Sequence, residues 1–215
     1  MSTTIAMLLA DSRLPVGAHV SSNALEAALR DELSPAQVGE YLATRMRILV
    51  PIEAGTAVLA RHLAQDPAAL ESLRAEWAAR TPSRAQREIA EALGQGLARL
   101  AAVQWPGAVP PAERPWPRPM VLGLIAAATG LDAEELVRLV AYDDAQTVAA
   151  ALLKLEPGDP RTAVALVLDA CALMDPCAAE LAALEDPAHL PCAGAPQIEG
   201  WAEAQSQLTR RLFRA

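Results

Sequence analysis

Apolar residues recur along this chain at helical spacing. Val38, Tyr41, Leu42, Met46 and Leu49 share one helix face, and Pro51 predicts an end or a kink after them. Leu70, Leu73 and Trp77 form a second stripe, and Ile89, Leu93, Leu97 and Leu100 a third. The polar positions between stripes read as helix caps. Asn23 with Glu26 gives a capping-box pattern for a helix over roughly 24–31. Ser34-Pro35 sets an N-cap followed by proline in the first turn. Ser83 with Gln86 opens a helix to about residue 103, and Asp132 with Glu135 repeats the pattern. Asp-Pro occurs at 66–67, 159–160, 175–176 and 186–187, each a candidate N-cap with proline behind it. These signals predict a helix over 161–174, a shorter one after Pro176, and a last helix over about 197–213. Gly130 is placed to close a helix as its C′ residue.

Strand-like alternation never lasts more than a few residues, and no repeat of fixed period is present. The expected fold class is therefore all-α, an irregular multi-helix bundle of about ten helices. Six prolines between 105 and 119, in WPGAVPPAERPWPRP, exclude a regular helix there and predict an extended, partly polyproline-II connection. Neither flanking half carries a complete-looking core. The expectation is a single helical domain over 1–215, with a proline-rich loop at 105–119 and a C-terminal docking tail at about 205–215.

Composition narrows the function. Hydrophobic residues make up 53% of the 215 and charged residues 20%, enough apolar material for a sizeable core. The net charge of −8 argues against nucleic acid as a main partner and against an anionic membrane surface. No uncharged apolar run reaches the roughly 18 residues of a membrane span; the richest, 163–168, is cut by Asp169. The N-terminus has no basic segment of the kind that begins a signal peptide, so the expected compartment is the cytoplasm. Cys171, Cys177 and Cys192 are scattered and odd in number, as expected of reduced thiols packed in or beside helices.

Catalytic patterns are sparse. His19, His62 and His189 lie far apart, in no zinc-binding spacing. The chain has no phosphate-loop motif, no nucleophile elbow and no dinucleotide fingerprint. In LADSRLPVGAHVSSNALEAAL a single glycine, Gly17, without a nearby lysine makes a poor phosphate cradle. The stretch reads as a tight turn feeding a helix, or as a binding surface. The alternative function is a small helical enzyme using His19 with Asp11 or Glu26, or an unrelated helical regulator. Asp143-Asp144 is expected on a solvated helix face, with a polar channel as the alternative. The tail LTRRLFRA interleaves Arg210, Arg211 and Arg214 with Leu208, Leu212 and Phe213. That composition suits a protein-docking element, or a helix packed on its own bundle.

These residues resemble a known family. LLADSRLPVGAHVSSNALEAAL is similar to the N-terminal signature of the UreF family of urease accessory proteins. The matches are Asp11, Ser12, Leu14, Pro15, Val16, Gly17, His19, Ser22, Leu25 and Glu26. AARTPSRAQREIAEALGQGLARL, PMVLGLIAAATGLDAEELVRLVAYD and the Arg-Leu-Phe tail continue the resemblance in order along nearly the whole chain. The chain departs from the pattern at Ala18 and Ala24, where the family carries glycine, and at Val20 and Ser21, where it carries a serine and a histidine or tyrosine. The resemblance implies a non-enzymatic nickel-insertion chaperone that is all-helical and homodimeric. It would bind UreD (also called UreH) through its C-terminal region, recruit and regulate the UreG GTPase, and act on apo-urease. No tightly bound cofactor is implied; nickel would be in transit through the complex. The implied partner-binding residues are Asp11, Arg13, Leu14, Pro15, Gly17, His19, Ser22 and Glu26 in the opening segment, with Arg210, Arg211, Leu212, Phe213 and Arg214 in the tail.

Overall fold

The computed structural model describes residues 2–11, 14, 20–209 and 211–213. Helices make up 74% of it, and no strand occurs among the described residues. The order is α1 (Ser2–Leu9), α2 (Leu25–Arg30), α3 (Val38–Thr44), α4 (Val50–His62), α5 (Pro67–Arg80), α6 (Arg84–Gln104), α7 (Arg118–Thr129), α8 (Ala133–Leu155), α9 (Pro160–Ala182) and α10 (Pro196–Gln207).

Helix α4 lies at the centre, packed on α7 and α8, while α9 runs along α8 and α6 along α7. Its composition explains the position: Ile52, Ala54, Ala57, Val58, Leu59 and Ala60 surround the helix with small or branched apolar groups, all buried. A methyl group on Gly123 of α7 would lie 2.0 Å from the Ala57 carbonyl oxygen of α4, so glycine lets these two backbones touch. One hydrophobic core extends from Leu9 to Phe213 and draws on both sides of the proline-rich loop.

Several caps form as the sequence predicts. Asp66 accepts from the Ala68 and Ala69 amides, Ser83 from Gln86, and Asp132 from Glu134 and Glu135. Gly130 ends α7 with φ 70°. Leu70, Leu73 and Trp77 are fully buried.

Four local expectations are corrected. Asn23 does not cap α2. The N-cap is Ala24, at φ 69°, and it is the Ser22 hydroxyl that accepts the Glu26 amide, at 3.4 Å. Of the end or kink expected at Pro51, the end is not found: a five-residue π turn, Arg45–Leu49, joins α3 to α4. The wider turn leaves room where a proline offers no N–H and crowds the preceding carbonyls. Asp175-Pro176 starts no new helix, because α9 continues to Ala182 with Ala170, Met174, Ala178 and Leu181 buried along one face. The last helix ends at Gln207 rather than 213, and the tail beyond it folds back over α2.

Helix α9 alone among the described residues has the length and apolar composition of a membrane span, with mean hydropathy 1.6 over its best window. It nevertheless packs on α8, α3 and α4, and it carries Asp169 and Asp175.

Candidate functional site

Two structures meet at the start of α2: a cavity with charged side chains on a largely apolar wall, and the C-terminal tail. The cavity, about 140 Å³, lies among the segment just before α2, the π turn, α4, the end of α5, α6, α7, α8 and α10. Helix spacing explains its charges. Tyr41, Arg45, Leu49, Glu53 and Ala57 fall four residues apart, so two charged side chains sit on an otherwise apolar stripe and enter the interior with it.

Arg45 meets Asp144 of α8 in a two-point contact, Nε to Oδ1 at 2.8 Å and Nη2 to Oδ2 at 2.6 Å. The Asn23 side-chain amide donates to the same Asp144 Oδ2 at 2.8 Å. Both Tyr41 Oη and Arg45 Nη1 donate to the Asn23 carbonyl. These bonds hold Asn23 and Ala24 in the left-handed region, at φ 53° and 69°. An alanine in that region costs about 1–2 kcal/mol. Here the buried network meets that cost.

Burial alone would lower the Arg45 pKa, but the Asp144 carboxylate outweighs it and raises the value, so the guanidinium stays charged. Burial pushes the Tyr41 phenol up to about 12, against the Arg45 charge. Beside this pair, Arg118 at the start of α7 grips Asp143, with Nη2 3.0 Å from Oδ1. Asp143 and Asp144 are thus no solvated face. Each is mostly buried and neutralised by an arginine, which corrects the expectation: both line the cavity as members of ion pairs. Glu53 accepts from Trp77 Nε1 at 2.9 Å, and burial raises its carboxyl pKa.

On the other side, Glu26 is 1% exposed and takes the tail. Its carboxylate accepts from the Leu212 and Phe213 amides at 2.9 Å and from Arg30 at 2.7 Å. Gln205 of α10 completes the joint, donating to the Ser22 hydroxyl at 2.9 Å and accepting from the Ala27 amide at 3.2 Å. Phe213 is buried, with the Lys154 ammonium 5.3 Å from its ring centre, while Leu212 is 61% exposed. Arg211 donates to the Gln205 and Ser206 carbonyls.

The expected site residues therefore separate by burial. Ser22, Glu26 and Phe213 are interior, because their polar and aromatic groups are engaged by the chain itself. They shape the surface from beneath. Arg211 and Leu212 are exposed. Asp11 and Leu14 are half-buried, and the Leu14 amide donates to the Asp11 carbonyl at 2.9 Å. Arg13, Pro15, Gly17, His19, Arg210 and Arg214 lie outside the described residues. Arg45, Glu53, Arg118 and Gln205 were not foreseen, although a charge on an apolar stripe marked the first two. Among the described residues no group of three His, Cys, Asp or Glu side chains converges as a metal site.

Comparison with known proteins now identifies the family. The UreF family profile matches residues 33–171. The urease accessory protein UreF of Mycobacterium sp. (strain JLS) is 36% identical over 216 residues, 98% of this chain and 97% of that protein. The protein of the same name from Mycobacterium marinum is 37% identical over 196 residues, 86% and 90% of the two chains. That of Mycolicibacterium vanbaalenii is 34% identical over 194 residues, 84% and 88%. With a family profile over more than half of the chain and relatives 34–37% identical over most of it, the chain belongs to the UreF family: it is a urease accessory protein and not itself an enzyme.

Proposed function

We propose that this chain is the scaffold of a nickel-insertion complex in the cytoplasm, bridging UreD and the UreG GTPase on apo-urease. Its work is to present surfaces. Two copies form a composite face for UreG, whose GTPase activity the face regulates, and the C-terminal tail engages UreD. Nickel passes through or beside the assembly without a resident site. Family membership sets aside the alternative of a small enzyme built around His19.

The observation that carries this reading is the tail joint. A buried carboxylate, Glu26, fixes the backbone of residues 212–213, so Leu212 is held outward on a defined base rather than trailing in solvent. An exposed leucine among arginines on an acidic protein has the make-up of an interface residue. The opening segment joins the same base through Ser22 and Glu26, so both expected surfaces share one support.

Two experiments test it. In the first, apo-urease is incubated with UreD, UreG, GTP, nickel and bicarbonate, with and without this chain. Urease activity should appear only with it. In the second, Leu212→Asp or deletion of residues 208–215 should abolish co-purification with UreD while the helical circular dichroism of the Leu212→Asp chain is unchanged. Retained UreD binding by both variants would remove the tail from the mechanism.

A further inference from the structure

The cavity beside α2 has hydrogen-bonding positions that its own ion pairs leave unfilled. Arg118 gives both terminal nitrogens to Asp143, and its Nε is buried with no hydrogen-bond partner among the described residues. Glu53 accepts from Trp77 through Oε1, and among the described residues no bond is made to Oε2. Both residues line the cavity, and Arg118 is close enough for its charge to act on the Glu53 carboxyl. A buried donor left unmet is costly, and native proteins seldom keep one without a use.

The rest of the wall says what kind of molecule would fill it. Three acids, Glu53, Asp143 and Asp144, are matched by three arginines, Arg45, Arg80 and Arg118, so the lining carries no net charge. A charged occupant would lose its hydration there without gaining a counter-ion. Leu49, Val50, Ile52, Ile89, Leu93 and Val140 make much of the remaining surface aliphatic. Water is a weak occupant beside such groups, which offer it few of the roughly two to four bonds it needs, and an apolar body displaces it to advantage. An apolar cavity of about 150 Å³ takes a molecule the size of benzene, about six heavy atoms. At about 140 Å³, this one sets the same limit.

We propose that the cavity is a binding site for a small uncharged aliphatic molecule whose head both accepts and donates a hydrogen bond, an alcohol or a primary amide. Arg118 Nε donates to the head, Glu53 Oε2 accepts from it, and the aliphatic body lies against Ile89 and Leu93. The Arg118 and Asp143 side chains, 14% and 20% exposed, stand at the mouth. The site goes beyond the scaffold reading and stands whether or not the tail engages UreD.

Nuclear magnetic resonance titration of the full chain with isobutyramide and with 3-methyl-1-butanol, each of about six heavy atoms, tests the site. At least one should shift the Arg118 Nε–H resonance saturably, with a Kd on the order of 1 mM. Its methyl groups should show nuclear Overhauser contacts to Ile89 and Leu93. The tighter binder of the two assigns the head. Isobutyrate, the charged counterpart of the amide, and cyclopentane, which has no head, should each bind about tenfold or more weakly. Ala90→Leu narrows the cavity and should remove binding, with circular dichroism checking the fold. The contacts in the parent chain locate the probe even if that variant does not fold. Four outcomes would each overturn the proposal: no binding by either headed probe, contacts only to residues outside the cavity, equal binding of isobutyrate or cyclopentane, or undiminished binding by a folded Ala90→Leu chain.

Discussion

Single residues explain the interior of this protein. Arg45 and Asp144 neutralise each other inside the bundle, and their network sets the conformation of Asn23 and Ala24. Glu53 differs because burial, the dominant influence, raises its pKa while the Trp77 N–H opposes it. A carboxyl whose pKa is higher folded than unfolded binds its proton more tightly in the folded chain. Stability therefore falls as pH rises from the ordinary carboxylate range to the raised value, and then levels off. Glu53→Gln keeps an oxygen for Trp77 and has no charge to desolvate. It should melt at or above the parent temperature at neutral pH, and the difference should vanish or reverse in acid, below the ordinary carboxylate range. Thermal melts across pH check this; a variant less stable at neutral pH would show that the ionised carboxylate is well solvated. Tyr41 and Leu49 were legible in the sequence as members of one helix face, but Arg45, Glu53 and their partners were not foreseen. Asp144 and Trp77 reach them only through the packing of α8 and α5.

At the level of elements, the caps were legible because each is a contact between near neighbours in sequence. Asp66, Ser83, Asp132 and Gly130 act within a few residues of themselves. Errors arose where packing outweighed a local signal. Pro176 stays inside α9 because the apolar stripe runs on beyond it, and a π turn takes up Pro51. Close contact between elements gives a sharp test at two glycines. A methyl group on Gly94 of α6 would lie 2.0 Å from the Trp116 carbonyl oxygen, in the loop that Trp116 Nε1 ties to the Pro110 carbonyl. Gly94→Ala should therefore destabilise by about 1–3 kcal/mol, although alanine is the better helix former. On α10, nothing lies within 4 Å of the corresponding position at Gly200. Gly200→Ala should stabilise by up to about 1 kcal/mol. Urea denaturation of the two variants side by side reads both signs.

Across the whole molecule, the proline-rich loop is a fastened connection. Arg114 pairs with Glu91 at 2.8 Å, and the Arg74 guanidinium stacks 4.0 Å from the Trp116 ring. Helix α4, before the loop, packs chiefly on α7 and α8, after it. Neither half can bury its apolar faces alone. The chain should thus unfold in one cooperative transition, with calorimetric and van't Hoff enthalpies equal. Separately expressed fragments 1–108 and 109–215 should each lack stable tertiary structure and should recover it on mixing. Two resolved transitions, or a fragment that folds alone, would show two domains.

The sequence by itself determined what depends on neighbours along the chain: the helical class, most caps, the loop at 105–119, and the ordered motifs of the UreF family. Tertiary structure alone decided which polar groups are interior. Ser22 meets Gln205 across 183 residues, Glu26 meets Phe213 across 187, and Arg45 meets Asp144 across 99. The physical reason is the cost of burying a charge or an amide without a partner. That cost is met only by groups brought together when the helices pack, and no pattern within one helix names them.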